Sequence, residues 1–219
     1  MKAPYSRVGG ISATDGDALG NAPATAERVL RIGIDVQANE LITTRANDRA
    51  HLVFLDGSSL TVGPNAQLTI DRFVFDPNTK TGELAINASK GVLRLVGGKI
   101  SKTTPITVTT PASTIGIRGG ITILTVEPDR TTSTFVFGKA MTVSAAGQTQ
   151  TLTRQGSQVT TNRGSAPGRA TIVPPGGYSG ELSQLEGGSG SGGSGGTSGT
   201  GQSAGTAAIG AVANADQKA

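Results

Sequence analysis

The stretch that most constrains this fold is TTPASTIGIRGGITILTV, residues 109–126. Apolar side chains fall at Ile115, Ile117, Ile121 and Ile123, two residues apart, with Gly119 in the same phase. A period of two marks a strand with one buried face, because successive side chains point to opposite sides of a sheet. After Ile123 the phase slips to Leu124 and Val126, which predicts a bend. Gly116, Gly119 and Gly120 are read as backbone-geometry positions or points of close strand approach.

The same texture recurs along the chain. Leu30, Ile32, Ile34 and Val36 alternate with polar residues or glycine, which predicts a strand from Val29. Residues 51–55 are apolar on both phases, as in a strand covered on both sides. Asp56-Gly57 then reads as a type I′ hairpin turn, and Gly63-Pro64-Asn65 as a second turn. Leu68 and Ile70 share one phase, Phe73 and Phe75 the other, so a bulge or corner is expected at Asp71-Arg72. Residues 84–86, 91–96 and 106–110 are further strands, and 99–102 a basic turn or short strand. Beyond Pro128, shorter strands are expected at 135–137, 140–143, 149–152 and 157–161, then an extended segment at 172–178. No convincing helix is predicted within 29–178.

The expected fold class is therefore all-β: a rolled or solenoid-like stack, or a sandwich, of short antiparallel strands. Residues 1–28 are expected to be an extended arm, 29–178 the β domain, and 179–219 a flexible tail. A turn of helix is predicted at 181–186. From Gly187 the sequence GGSGSGGSGGTSGTGQSAGT offers little apolar surface to offset ordering entropy.

Composition excludes several function classes. There is no cysteine, hence no disulfide, thiolate metal site or cysteine nucleophile. The net charge of +4 comes from scattered Lys and Arg, and aromatics are 3% of residues. Nucleic-acid binders cluster basic residues with aromatic platforms, so nucleic acid is not an expected partner. No apolar run approaches the roughly 20 residues needed to span a bilayer. The first twenty residues lack the apolar centre of a secretion signal.

In order, the blocks ERVLRIGIDVQANELITT, HLVFLDGSSLTVGPNAQLTIDRFVFDPNT, KGVLRLVGGKISK and TTPASTIGIRGG resemble the FecR domain. The resemblance is densest in DGSSLTVGPNAQLTI and in the block around Arg118. It implies an all-β interaction module of the periplasm, not an enzyme. The family's named member sits in the inner membrane of Gram-negative bacteria. It relays occupancy of an outer-membrane iron-siderophore receptor to a cytoplasmic sigma factor. This sequence departs from that layout. It shows no transmembrane helix, only a short polar arm where an anti-sigma domain would stand, and a Gly/Ser tail where a receptor-contacting domain would. The expectation carries over the fold and the interaction class, and withholds the sigma-regulator role. Periplasmic or cell-surface location is implied by the resemblance, although no signal peptide is visible. The expected partner is another envelope protein or a second copy. The alternative is a structural or adhesive surface protein in which the β roll is a spacer and the tail a linker.

No catalytic, metal or cofactor site is predicted, and no small-molecule ligand is evident. His51, the one histidine, lies in a strand beside Leu52 and Val53 and reads as a structural residue. Gly192-Gly193-Ser194-Gly195-Gly196 matches a nucleophile-elbow pattern formally, but without a strand before it or a helix after. Residues 91–99 have the wrong glycine spacing for a phosphate loop. Arg94, Lys99, Lys102 and Arg118 flank the most characteristic blocks and are the candidate partner-binding residues. Against that, Arg118 is read as a clasp that bonds to carbonyls with its stem packed on isoleucines. Asp56, Gly57, Gly63, Pro64, Gly116, Gly119 and Gly120 are the structural motif positions. Binding is expected at exposed strand edges near Arg118, through strand addition or charge pairing.

Overall fold

Two strands run far longer than alternation suggests. In the computed structural model, which describes residues 7–187, Thr81–Val96 and Arg130–Ala145 are each 16 residues long. These two strands exceed the short strands expected. In chain order the elements are β1 (Arg7–Asp15), β2 (Leu19–Asn21), β3 (Arg28–Val29), β4 (Asp35–Gln37), β5 (Leu41–Thr43), β6 (Arg49–Phe54), β7 (Ser59–Val62), β8 (Gln67–Asp76) and β9 (Thr81–Val96). They continue with α1 (Lys99–Thr103), β10 (Ile106–Thr109), β11 (Thr114–Val126), β12 (Arg130–Ala145), β13 (Gln148–Leu152), β14 (Ser157–Asn162), β15 (Thr171–Ile172) and α2 (Ser179–Glu186).

The long strands β9, β11 and β12 change neighbours part-way and so belong to two sheet regions. In one, their ends at 81–90, 114–118 and 140–145 join β13, β10, β8, β5, β2 and β3. In the other, their ends at 91–96, 121–126 and 130–137 join β15, β14, β7, β6, β1 and β4. The sheet is mixed, because β10 lies parallel to β9. One hydrophobic cluster takes side chains from both regions, including Leu68, Ile86 and Ile115 from the first and Leu52, Leu60, Leu93 and Leu124 from the second. The architecture is an all-β roll over one main core, with a smaller apolar cluster beside it.

The crossing is made of glycine. Gly120 pairs with Gly138 across β11 and β12, and their φ angles are +120° and +137°. A Cβ on either would collide with backbone of the opposite strand. There the chain turns from one region into the other, and the β11–β12 register shifts one step later, between Ile121 and Thr122. The isoleucines therefore do not share one face. Ile115 and Ile117 belong to the main core, as do Leu124 and Val126, whereas Ile123 joins a separate cluster under α2. The slip expected at Asp71-Arg72 is seen as a register shift between Thr69 and Arg72.

Other expectations change. The arm expected over 1–28 is, from Arg7 onward, part of the sheet: β1 pairs with β4 and β6, and Val8 and Ile11 are buried. The strand expected from Val29 is interrupted by a turn at Arg31–Ile34, which leaves Ile32 68% exposed. The segment at 99–102 is a helical turn, α1. The predicted helix at 181–186 is present within α2. The rest of the expected tail, with Ser194 and its glycines, lies outside the described residues.

Candidate functional site

The two most distinctive sequence blocks meet at α1. Its N-terminus follows Gly97 and Gly98 and has no side-chain cap of its own. The caps come from the hairpin turn instead. Asp56 is fully buried; its Oδ1 accepts from the Ser58 amide at 3.0 Å, and its Oδ2 accepts from the Ser58 hydroxyl at 2.7 Å and the Ile100 amide at 3.1 Å. The Asp56 carbonyl accepts from the Lys99 amide at 3.0 Å, and the Ser58 hydroxyl accepts from the Gly98 amide at 2.8 Å. Helix N-termini leave amides without partners; here they are satisfied by residues about forty positions upstream. Only Gly57 of the Asp-Gly pair has positive φ, at +84°, so the turn is a three-residue loop with glycine in the left-handed position and not type I′.

Arg118 holds the other end of α1. Its Nη2 donates to the Thr103 carbonyl at 2.9 Å, which places cationic charge at the helix C-terminus, where the dipole favours it. Lys99 and Lys102 are exposed on α1, with the Lys99 ammonium 6.0 Å from the Phe75 ring centre. The second turn is pinned in the same manner. The Gly63 amide donates to the Val92 carbonyl at 2.8 Å, and the Gly63 carbonyl accepts from the Thr44 hydroxyl at 2.7 Å. The same hydroxyl accepts from the Ala66 amide at 2.9 Å, so the Pro64-Asn65 corner is held from both sides. Gly116 leaves room for Thr142 on the facing strand, whose hydroxyl donates to the Gly116 carbonyl at 3.4 Å.

Arg94 stands apart from this knot. It lies on β9 beneath α2, 9% exposed. Its Nη1 donates to Glu186 Oε1 at 3.4 Å, and its Nη2 points to the Thr61 hydroxyl at 3.5 Å. His51 Nδ1 shares that hydroxyl at 2.9 Å. Burial, with a smaller contribution from the Arg94 charge, holds the His51 imidazole below its ordinary value of 6.5. The folded state therefore disfavours the protonated ring. Stability from this group is complete above the unfolded value and falls as pH drops below 6.5 toward the depressed folded value. Urea melts of wild type and His51→Gln are expected to diverge over that interval, the wild type losing more stability on acidification. Equal losses would show that His51 carries no such linkage.

A family model described as FecR protein matches residues 40–141. That segment is a FecR domain. It contains every candidate residue named from the sequence, from Asp56 to Gly120. Outside it lie β1 to β4, β13 to β15 and α2. No curated protein matches the sequence. Two crystal structures of a candidate anti-sigma factor from Parabacteroides distasonis are similar to this chain. One is 12% identical over 60% of this chain and 59% of its own, with a TM-score of 0.46. The other is 10% identical over 66% and 74%, also with a TM-score of 0.46. This chain thus spans under two thirds of the first. No helix among the described residues is long and apolar enough to cross a membrane.

Sequence reasoning missed the buried ion pair that leads into the FecR domain. Glu40 is fully buried and accepts from Arg28 Nη2 at 2.9 and 3.2 Å and from the Gln37 amide at 2.9 Å. Asn39-Glu40 reads only as a break between strands. The sole local hint is that Asn39 takes a left-handed turn, φ +60°, which turns the next side chain back inward.

Proposed function

We propose that this protein is a non-enzymatic binding module of the bacterial envelope, and that it works by adding an extended segment of a partner protein to the free edge of β13. The FecR domain supports the envelope setting. The observation that carries the binding mode is the edge itself. Among the described residues, β13, sequence QTQTL, pairs with β12 on one side only, and it carries neither charge nor proline. Exposed edges normally carry such features to block pairing with other chains. The strand addition expected near Arg118 has no edge to use there, because β11 is paired with β12 on one flank and with β10 and β9 on the other. Arg118 is engaged with Thr103, and the mechanism moves to β13.

The hairpin geometry says which groups face outward. Ala146 and Gly147, at φ +47° and +74°, form a two-residue loop, so Ala145 and Gln148 close it as a hydrogen-bonded pair. Alternation then directs the backbone N–H and C=O of Gln148, Gln150 and Leu152 to β12, and those of Thr149 and Thr151 outward. Thr151→Pro removes one outward donor and no ladder bond. Its stability is expected to stay within about 1 kcal/mol of wild type, whereas Gln150→Pro costs about 3 kcal/mol. In the native cell, with a photo-crosslinker at Gln148, Thr151→Pro is expected to abolish the adduct that wild type forms. An undiminished adduct from folded Thr151→Pro would overturn the proposal.

A further inference from the structure

α2 is a weak helix on a well-built surface. Its eight residues fall short of the roughly 12–15 that an isolated helix needs in water. It includes Gly180, Ser179 and Ser183, and its N-cap residue Tyr178 makes no side-chain capping bond. Leu185 is its one buried residue. Pro174, Pro175, Gly176 and Gly177 precede it, and Gly187 ends it in the left-handed conformation. The surface beneath belongs to central strands. Val92 of β9 and Ile123 of β11 form an apolar floor, with Val136 beside them, and Leu185, Leu182 and Tyr178 pack on it. One end of this floor is cationic. Arg49 Nε donates to the Gln184 carbonyl while its Nη1 is held by Asp15 at 3.0 Å. Arg94 meets the Glu186 carboxylate. Arginines placed there satisfy terminal carbonyls and complement the negative end of the helix dipole.

We propose that this face is a docking site for a short amphipathic helix of a partner protein, with two apolar side chains three residues apart and a carboxylate directly after the second. α2 is the occupant supplied by the chain itself, and its LSQLE sequence displays that pattern. The cationic end of the floor is matched to such an occupant. Thr61 and His51 line up behind Arg94, so the guanidinium is directed at the helix end. A tethered helix acts at an effective concentration of the order of millimolar. A partner helix therefore competes only for the fraction of molecules in which α2 has lifted. The site is distinct from the β13 edge, and substitutions at one leave the other in place.

The test uses the full chain and a fluorescent peptide of sequence YSGELSQLEG, corresponding to residues 178–187. Leu185→Asp in the full chain removes the anchor of the resident helix and leaves the floor intact. It is expected to raise the apparent affinity for the wild-type peptide at least about tenfold over the wild-type chain. Leu182→Asp, at a less buried position, provides the same opening if Leu185→Asp fails to fold. A peptide carrying Glu186→Lys is expected to bind several-fold more weakly, because it sets a cation against Arg94. Equal peptide binding by the wild-type and opened chains, with melting cooperative in each, would overturn the proposal. So would undiminished binding of a peptide with both leucines changed to aspartate.

Discussion

Gly120→Ala is expected to destabilise the fold by about 3–5 kcal/mol, the sum of left-handed backbone strain and a collision that cannot relax. At φ +120° the position is one that L-residues rarely adopt. The added methyl would also meet the Phe137 carbonyl oxygen and the Gly138 Cα. Both are backbone atoms of a strand paired along its length, so no flexible side chain can swing aside. Widening the gap would break the β11–β12 ladder at the point where both strands pass between sheet regions. Gly147→Ala is the matched control. Its φ is +74°, but a Cβ there meets nothing within 4 Å, so backbone strain alone applies, about 1 kcal/mol. Chemical denaturation of the two variants separates the terms. If Gly120→Ala lost no more stability than Gly147→Ala, the bend would not depend on the absent side chains.

That bend shows where the sequence is legible and where it is not. Leu68 and Ile70 of β8 are readable because alternation survives where one face is buried, whereas residues 51–55, expected to be covered on both sides, bury only one face and leave Val53 40% exposed. β11 defeats a simple reading. Its isoleucines keep one phase while the strand itself rotates at the glycines, so one pattern serves two different clusters. β1 was hidden for another reason. Gly9 carries no side chain because a Cβ there would strike the Val53 carbonyl, and that gap interrupts the apolar pattern between Val8 and Ile11. The alternation of Leu30 to Val36 was misleading, since Ile32 sits at the tip of a turn. α1 has five residues, too few to show a helical period, and its caps come from another part of the chain. Of the candidate residues, Arg118 donates to a carbonyl at the end of α1, a partner that its own strand pattern does not reveal. The pairing of Arg94 with α2 had no local signal, because Glu186 is 92 residues away.

Asp56→Ala is expected to cost about 2–4 kcal/mol, because it leaves buried donors without an acceptor. The Ser58 amide, the Ser58 hydroxyl and the Ile100 amide all converge on this one carboxylate. Asp56→Asn is not a mild substitution here. It retains one oxygen but turns an NH₂ group toward a donor, so its cost is expected to approach that of alanine. Ser58→Ala removes the acceptor for the Gly98 amide and one donor to Asp56, for about 1–2 kcal/mol. Because the two side chains bond to each other, the double variant is expected to lose less than the sum of the singles, with a coupling of about 0.5–3 kcal/mol. Hydrogen exchange adds the local readout. If Asp56 caps α1, Asp56→Ala should free the Ile100 amide far more than amides in β6 and β7, which keep their ladder. Uniform loss of protection would mean instead that Asp56 contributes to the whole roll. An additive double variant would mean that Asp56 and Ser58 hold the α1 amides separately, Asp56 through Ile100 and Ser58 through Gly98.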